Sequence, residues 1–117
     1  MNKQYRVKKS LEIEAILNKK DCCYSPYFSI YKMKNPKTSH FRYAISVGKK
    51  IGKAYERNYL KRKIRAALQV LNIPLDNNVD IFIIARPKAN ELEFVDLVKQ
   101  IEFLLIKLHI IKGEKND

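Results

Sequence analysis

Apolar positions recur at helical spacing in some stretches of the chain and at strand spacing in others. "LEIEAILNK" places Ile13, Ile16 and Leu17 on one helical face, with Ser10 positioned as a cap. "PYFSIYKMK" alternates as a strand does, Phe28 and Ile30 on one side, Tyr27, Ser29 and Tyr31 on the other. "NPKTSH" is turn chemistry, so "FRYAISV" is expected to pair with the preceding strand as a hairpin. A helix is predicted over roughly 53–71, with Leu60, Ile64, Ala67, Leu68 and Leu71 facing a core and Pro74 beyond its end. "VDIFIIA" is apolar at nearly every position. That predicts a strand covered on both faces, parallel to "FRYAISV" and reached through the helix. Asn90 and Glu93 read as a capping box for a last helix. It runs to about Ile110 with Phe94, Val98, Ile101, Leu104, Leu105 and Leu108 inward.

The predicted order is helix, strand, strand, helix, strand, helix. This is an α/β (α+β) two-layer sandwich with a small mixed sheet. The 117 residues suit one domain, 1–117, with a frayed tail at about 112–117. A 46% hydrophobic content supports a real core, which argues against disorder. No apolar run approaches the roughly 20 residues of a membrane span, and the N-terminus lacks the features of a signal peptide. Cys22 and Cys23 are adjacent, too close for an unstrained staple, and read as ordinary thiols of a cytosolic protein.

Charge changes this picture. The formal net charge is +12, which favours a polyanionic partner. The excess concentrates in "GKKIGKAYERNYLKRKIR", Gly48 to Arg65, which holds eight lysines or arginines and one acid, Glu56. Arg57, Lys61 and Arg65 fall on one helical stripe, with Asn58 and Arg62 on the next. Lys49, Lys50 and Lys53 precede them in a loop feeding the helix N-terminus, where free N–H groups favour phosphate. Solvated charged faces usually mix signs, and this one hardly does, so it reads as a nucleic-acid-binding face. Charge alone does not choose RNA or DNA. Tyr27, Tyr31 and Tyr43 are expected on one sheet face, either stacking bases or filling the core.

A protein-borne catalytic centre is not expected. The acids are scattered, and Glu12 and Glu14, two apart, do not face each other on a helix. His40 and His109 are remote from the cysteines and from each other in sequence. No metal-ligand spacing or nucleophile arrangement stands out.

"FRYAISVGKKIGKAYERNYLKRKIR" closely resembles the signature of the bacterial ribonuclease P protein component. The matching positions are Arg42, Lys49, Lys50, Gly52, Arg57, Asn58, Lys61, Arg62 and Arg65. The likeness extends to "YRVKKSLEIEAILNK", "FSIYK" and "IFIIARPKA", about residues 5–105. The resemblance implies a left-handed βαβ crossover and a cytoplasmic, non-catalytic subunit of a ribozyme that removes the 5′ leader from precursor tRNA. It implies two RNA partners, the catalytic RNA and precursor tRNA, with magnesium held mainly by RNA. No membrane and no obligate protein partner are expected. Carried over, contact with the RNA subunit falls on Lys49, Lys50, Lys53, Lys61, Arg62 and Arg65. The leader cleft falls on Ile13, Leu17, Phe28, Tyr31, Arg57 and Asn58. Aromatics common in the family's first helix are replaced by Ile13 and Leu17, and Tyr59 stands where a basic residue is common. Gly48 and Ala44 stand in place of a common serine and glycine. The alternative kept open is a ribosomal or other structured-RNA-binding protein.

Overall fold

Three helices and four strands follow one another in the order α1 (Ser10–Lys19), β1 (Cys22–Tyr24), β2 (Phe28–Lys34), β3 (Arg42–Val47), α2 (Ala54–Val70), β4 (Val79–Ala85) and α3 (Phe94–Lys107). Short 3-10 turns occupy Lys49–Ile51 and Pro87–Glu91. This computed structural model describes residues 10–35, 40–71, 73 and 78–111. The predicted turn at 36–39, Pro74 and the tail at 112–117 lie outside them. Among the described residues, no helix is long and apolar enough to cross a membrane.

The most continuously apolar strand takes an interior place. The sheet order is β1-β2-β4-β3, with β2 antiparallel and β3 parallel to β4. The parallel pairing of "FRYAISV" with "VDIFIIA", through α2, is therefore as expected. The expected hairpin between β2 and β3 does not form. A strand apolar at nearly every position must be covered on both faces and paired on both edges, so β4 inserts between them. β1, unforeseen in the sequence, pairs with β2 on the outer edge and carries the free thiols of Cys22 and Cys23.

Alternation along these strands sorts side chains into two faces. Phe28, Ile30, Tyr43, Val47, Ile81, Ile83 and Ala85 face α2 and α3 and form the main core with Leu60, Ile64, Leu68, Leu97 and Ile101. On the other face α1 packs Ile16 against Ala44 and Phe82, flanked by Ile13, Leu17 and Tyr31. The α+β sandwich with a mixed sheet stands, with α2 and α3 on one face of the sheet and α1 on the other. The tyrosines do not share a face. Tyr43 is 1% exposed in the main core and stacks near Phe41, with ring centroids 6.1 Å apart. Tyr27 precedes β2, outside its alternation, and packs against the same core. Only Tyr31 turns toward α1.

The start of α2 explains the lone acid of the basic stretch. Glu56 Oε1 accepts the Lys53 N–H at 2.8 Å, closing an otherwise unpaired donor at the helix N-terminus. Gly52, just before, has φ 158° and ψ −164°, a region open almost only to glycine. A Cβ there would lie 2.4 Å from the same Glu56 oxygen. Gly52→Ala is therefore expected to cost about 1–2 kcal/mol, by backbone strain and a displaced cap, measured by urea denaturation. α3 begins later than expected. Asn90 belongs to the 3-10 turn, and Glu93 is the residue before the helix. The buried face accordingly includes Leu97 with Ile101, Leu104 and Leu105, while Phe94 is 37% exposed.

Candidate nucleic-acid interface

Three rows of side chains cross the sheet face that α1 partly covers. The pairing register sets Met33, Asp80 and Arg42 side by side, then Tyr31, Phe82 and Ala44, then Ser29, Ile84 and Ser46. The first row is an ionic lock. Arg42 donates from Nε to Asp80 Oδ1 at 3.0 Å and from Nη2 to Oδ2 at 2.7 Å. Its Nη2 also reaches Glu12 Oε2 of α1 at 3.2 Å, and Asn35 Nδ2 donates to Asp80 at 2.8 Å. Asp80 is fully buried, so these partners offset a large desolvation cost. The hydrogen bond to Asp80 is the main reason the Arg42 pKa lies above the ordinary arginine value, outweighing the lowering effect of burial. Arg42, part of the signature, thus ties α1 to β3 and β4 and is not a free cation.

Ala44 and Phe82 of the second row border a groove. Ile13 of α1, Tyr43 and Ile45 of β3 and Lys61 and Arg65 of α2 complete its lining. The structure therefore brings Lys61 and Arg65, expected to meet an RNA subunit, beside Ile13, expected in a leader cleft. Leu17 and Tyr31 flank the same apolar cluster, partly buried. Phe28 does not belong there. It is wholly buried on the opposite face, in a row with Ala85 and Val47, because strand alternation separates it from Tyr31. The third row is half-buried and less covered, and Arg86 reaches it, donating from Nη2 to Ser29 Oγ at 3.1 Å. Arg86 is legible in the sequence as the residue that ends the apolar strand, but it is not among the expected site residues.

The α2 cations present a different environment from Arg42. Among the described residues, the ion pairs involve only Lys32 and Arg42 on the basic side. Lys49, Lys50, Lys53 and Arg62 are exposed, as is Asn58, and Arg57, Lys61 and Arg65 are half-buried. The Nε atoms of Arg57 and Arg65 are buried without a hydrogen-bond partner, a costly state for a donor. Cationic donors without acidic partners, set beside an apolar groove, suit phosphate on one side and bases on the other.

Comparison with known proteins agrees. The family model described as Ribonuclease P matches residues 1–109. The ribonuclease P protein component of Enterococcus faecalis is 47% identical over 92 residues, covering 79% of this chain and 78% of that protein. That of Levilactobacillus brevis is 39% identical over 115 residues, covering 98% and 92%. The solved RNase P protein of Staphylococcus aureus superposes with a TM-score of 0.82 at 32% identity, covering 91% of this chain and 96% of that one. The Thermotoga maritima RNase P protein gives 0.73 at 28% identity, covering 92% and 98%. A basic helix bordering a partly covered sheet face, in this fold and with these relatives, places the chain in the ribonuclease P protein component family.

Proposed function

We propose that the α2 cations anchor ribonuclease P RNA and that the groove beneath α1 receives the 5′ leader of precursor tRNA. As a protein component of ribonuclease P, the chain partners the RNA subunit and binds precursor tRNA, and it serves tRNA maturation. The anchoring set is Lys49, Lys50, Lys53, Lys61, Arg62 and Arg65. The leader set is Ile13, Leu17, Tyr31, Arg57 and Asn58, with Phe28 withdrawn because it is core. The observation that carries this reading is the α2 stripe: its cations have no acidic partner among the described residues, and two of them border the α1 groove.

Bond cleavage belongs to the RNA in this reading. Among the described residues, no three His, Cys, Asp or Glu side chains lie together in a way that fits a metal ion. Magnesium is assigned to RNA and substrate, and the enzyme's site of work to the cytoplasm, on the strength of the family resemblance alone. What this chain supplies is positive charge that screens two polyanions from each other and a surface that holds a single strand.

The test is reconstitution with ribonuclease P RNA, comparing substrates with and without a leader. Leader-bearing substrate should bind more tightly than leaderless substrate only when the protein is present. Tyr31→Ala with Ile13→Ala should narrow that preference by about tenfold while leaving affinity for the RNA subunit unchanged. An undiminished preference in this variant would remove the leader from the groove.

A further inference from the structure

We infer that Tyr55 and Tyr59 form a second nucleobase-stacking platform on α2, taking an unpaired base of the ribonuclease P RNA itself. The inference rests on the reading above that this helix binds that RNA. Both rings stand in solvent, 69% and 55% exposed, one helical turn apart. With Glu56, Arg62 and Asn90 they line a shallow, open depression. Two exposed rings side by side make a contiguous aromatic patch, which is more informative than a lone exposed residue.

The surroundings favour a nucleotide. The Lys63 ammonium sits 5.0 Å from the Tyr59 ring centroid, and Lys63 is held there by a hydrogen bond from Nζ to the Leu92 carbonyl at 3.1 Å. One side of the ring is thus occupied by a fixed cation, which leaves the other for a base. Arg62, exposed, supplies a planar donor for a phosphate on the rim. Asn90, from the 3-10 turn after β4, offers both donor and acceptor to a base edge. Glu56 is the one acid present, and it is turned to the Lys53 N–H. A second copy of the chain is disfavoured as occupant, because pairing two molecules of charge +12 is repulsive.

The platform is distinct from the leader groove. Lys61 and Arg65 line the groove, whereas at 100° per residue Tyr55 and Tyr59 project from another side of α2, with Arg62 between the two sets. Stacking there should therefore strengthen binding of the RNA subunit without altering the choice between leader-bearing and leaderless substrate.

The experiment measures filter binding of the full chain to in vitro transcribed ribonuclease P RNA at fixed salt. Tyr55→Ala with Tyr59→Ala should weaken binding at least about tenfold, while Tyr55→Phe with Tyr59→Phe stays within about twofold. The salt slope should not change, since no cation is removed. Leader preference in the reconstituted enzyme should also be unchanged, and both rings are exposed enough for folding to survive, as melting curves will register. If the alanine pair keeps parental affinity while Lys61→Ala with Arg65→Ala loses it, the platform is wrong and the cationic interface stands. If both pairs keep parental affinity, the two fall together. If sedimentation shows a dimer of the parent that the alanine pair abolishes, with RNA affinity intact, the patch joins protein copies instead.

Discussion

Asp80→Ala is expected to destabilise the protein by about 3–5 kcal/mol, lowering the melting temperature by roughly 10 °C or more. Asp80 is the buried centre of the ionic lock, and its removal leaves the Arg42 guanidinium, whose side chain is 14% exposed, with only Glu12 at 3.2 Å. The loss should be largely recovered in the double variant Arg42→Met with Asp80→Leu, which removes both charges and fills the space with apolar atoms. Glu12→Ala should cost less than about 1 kcal/mol, because that carboxylate is partly solvated and meets one nitrogen only. Arg42 is a cation whose pKa is raised on folding. Its contribution is complete below the ordinary arginine pKa and fades only as pH rises through the raised value, so the lock holds across the neutral range. Chemical denaturation of the four proteins checks this. A change under about 1 kcal/mol for Asp80→Ala would mean that the lock is not what joins α1 to the sheet.

Lys61→Ala with Arg65→Ala should weaken binding to ribonuclease P RNA on the order of a hundredfold at moderate salt. Two charge-assisted contacts are lost, each worth about 1.5–3 kcal/mol before readjustment. The diagnostic is the slope of log affinity against log salt, which should fall by about 1.4–1.8 when two phosphate contacts disappear. A simple loss of fold would not produce that: neither side chain is in an ion pair among the described residues, and thermal stability should be close to parental. Because both residues also line the α1 groove, leader-bearing substrate should suffer more than leaderless substrate in the assembled enzyme. An unchanged salt slope would show that these two cations do not meet phosphate.

Local pattern made the helices legible and left the sheet order hidden. Leu60, Ile64, Ala67 and Leu68 announce α2 and its buried face, and the observed helix differs from the expected bounds by a residue at each end. Nothing local distinguishes a hairpin from two strands separated by a third. The turn chemistry after β2 argued for adjacency, and the apolar continuity of β4 overrode it. The cations were readable because spacing alone sets a helical stripe. Phe28 and Tyr31 were harder, since alternation separates their faces without saying which face lies under α1. Asp80 was the missed clue. An acid inside an otherwise apolar strand calls for a buried partner, and Arg42 at the start of the parallel strand was there to supply it.

The interior place of β4 has a consequence for birth on the ribosome. β2 and β3 share no edge with each other, and the strand that unites them comes last in the chain. Until residues 79–85 emerge, the nascent polypeptide holds a β1–β2 pair, an unpaired β3 and a fully translated cationic helix without the sheet that joins them. Such long-range closure is slow by nature. During that interval the molecule meets the cell's most abundant polyanion as an unfinished, strongly positive thread.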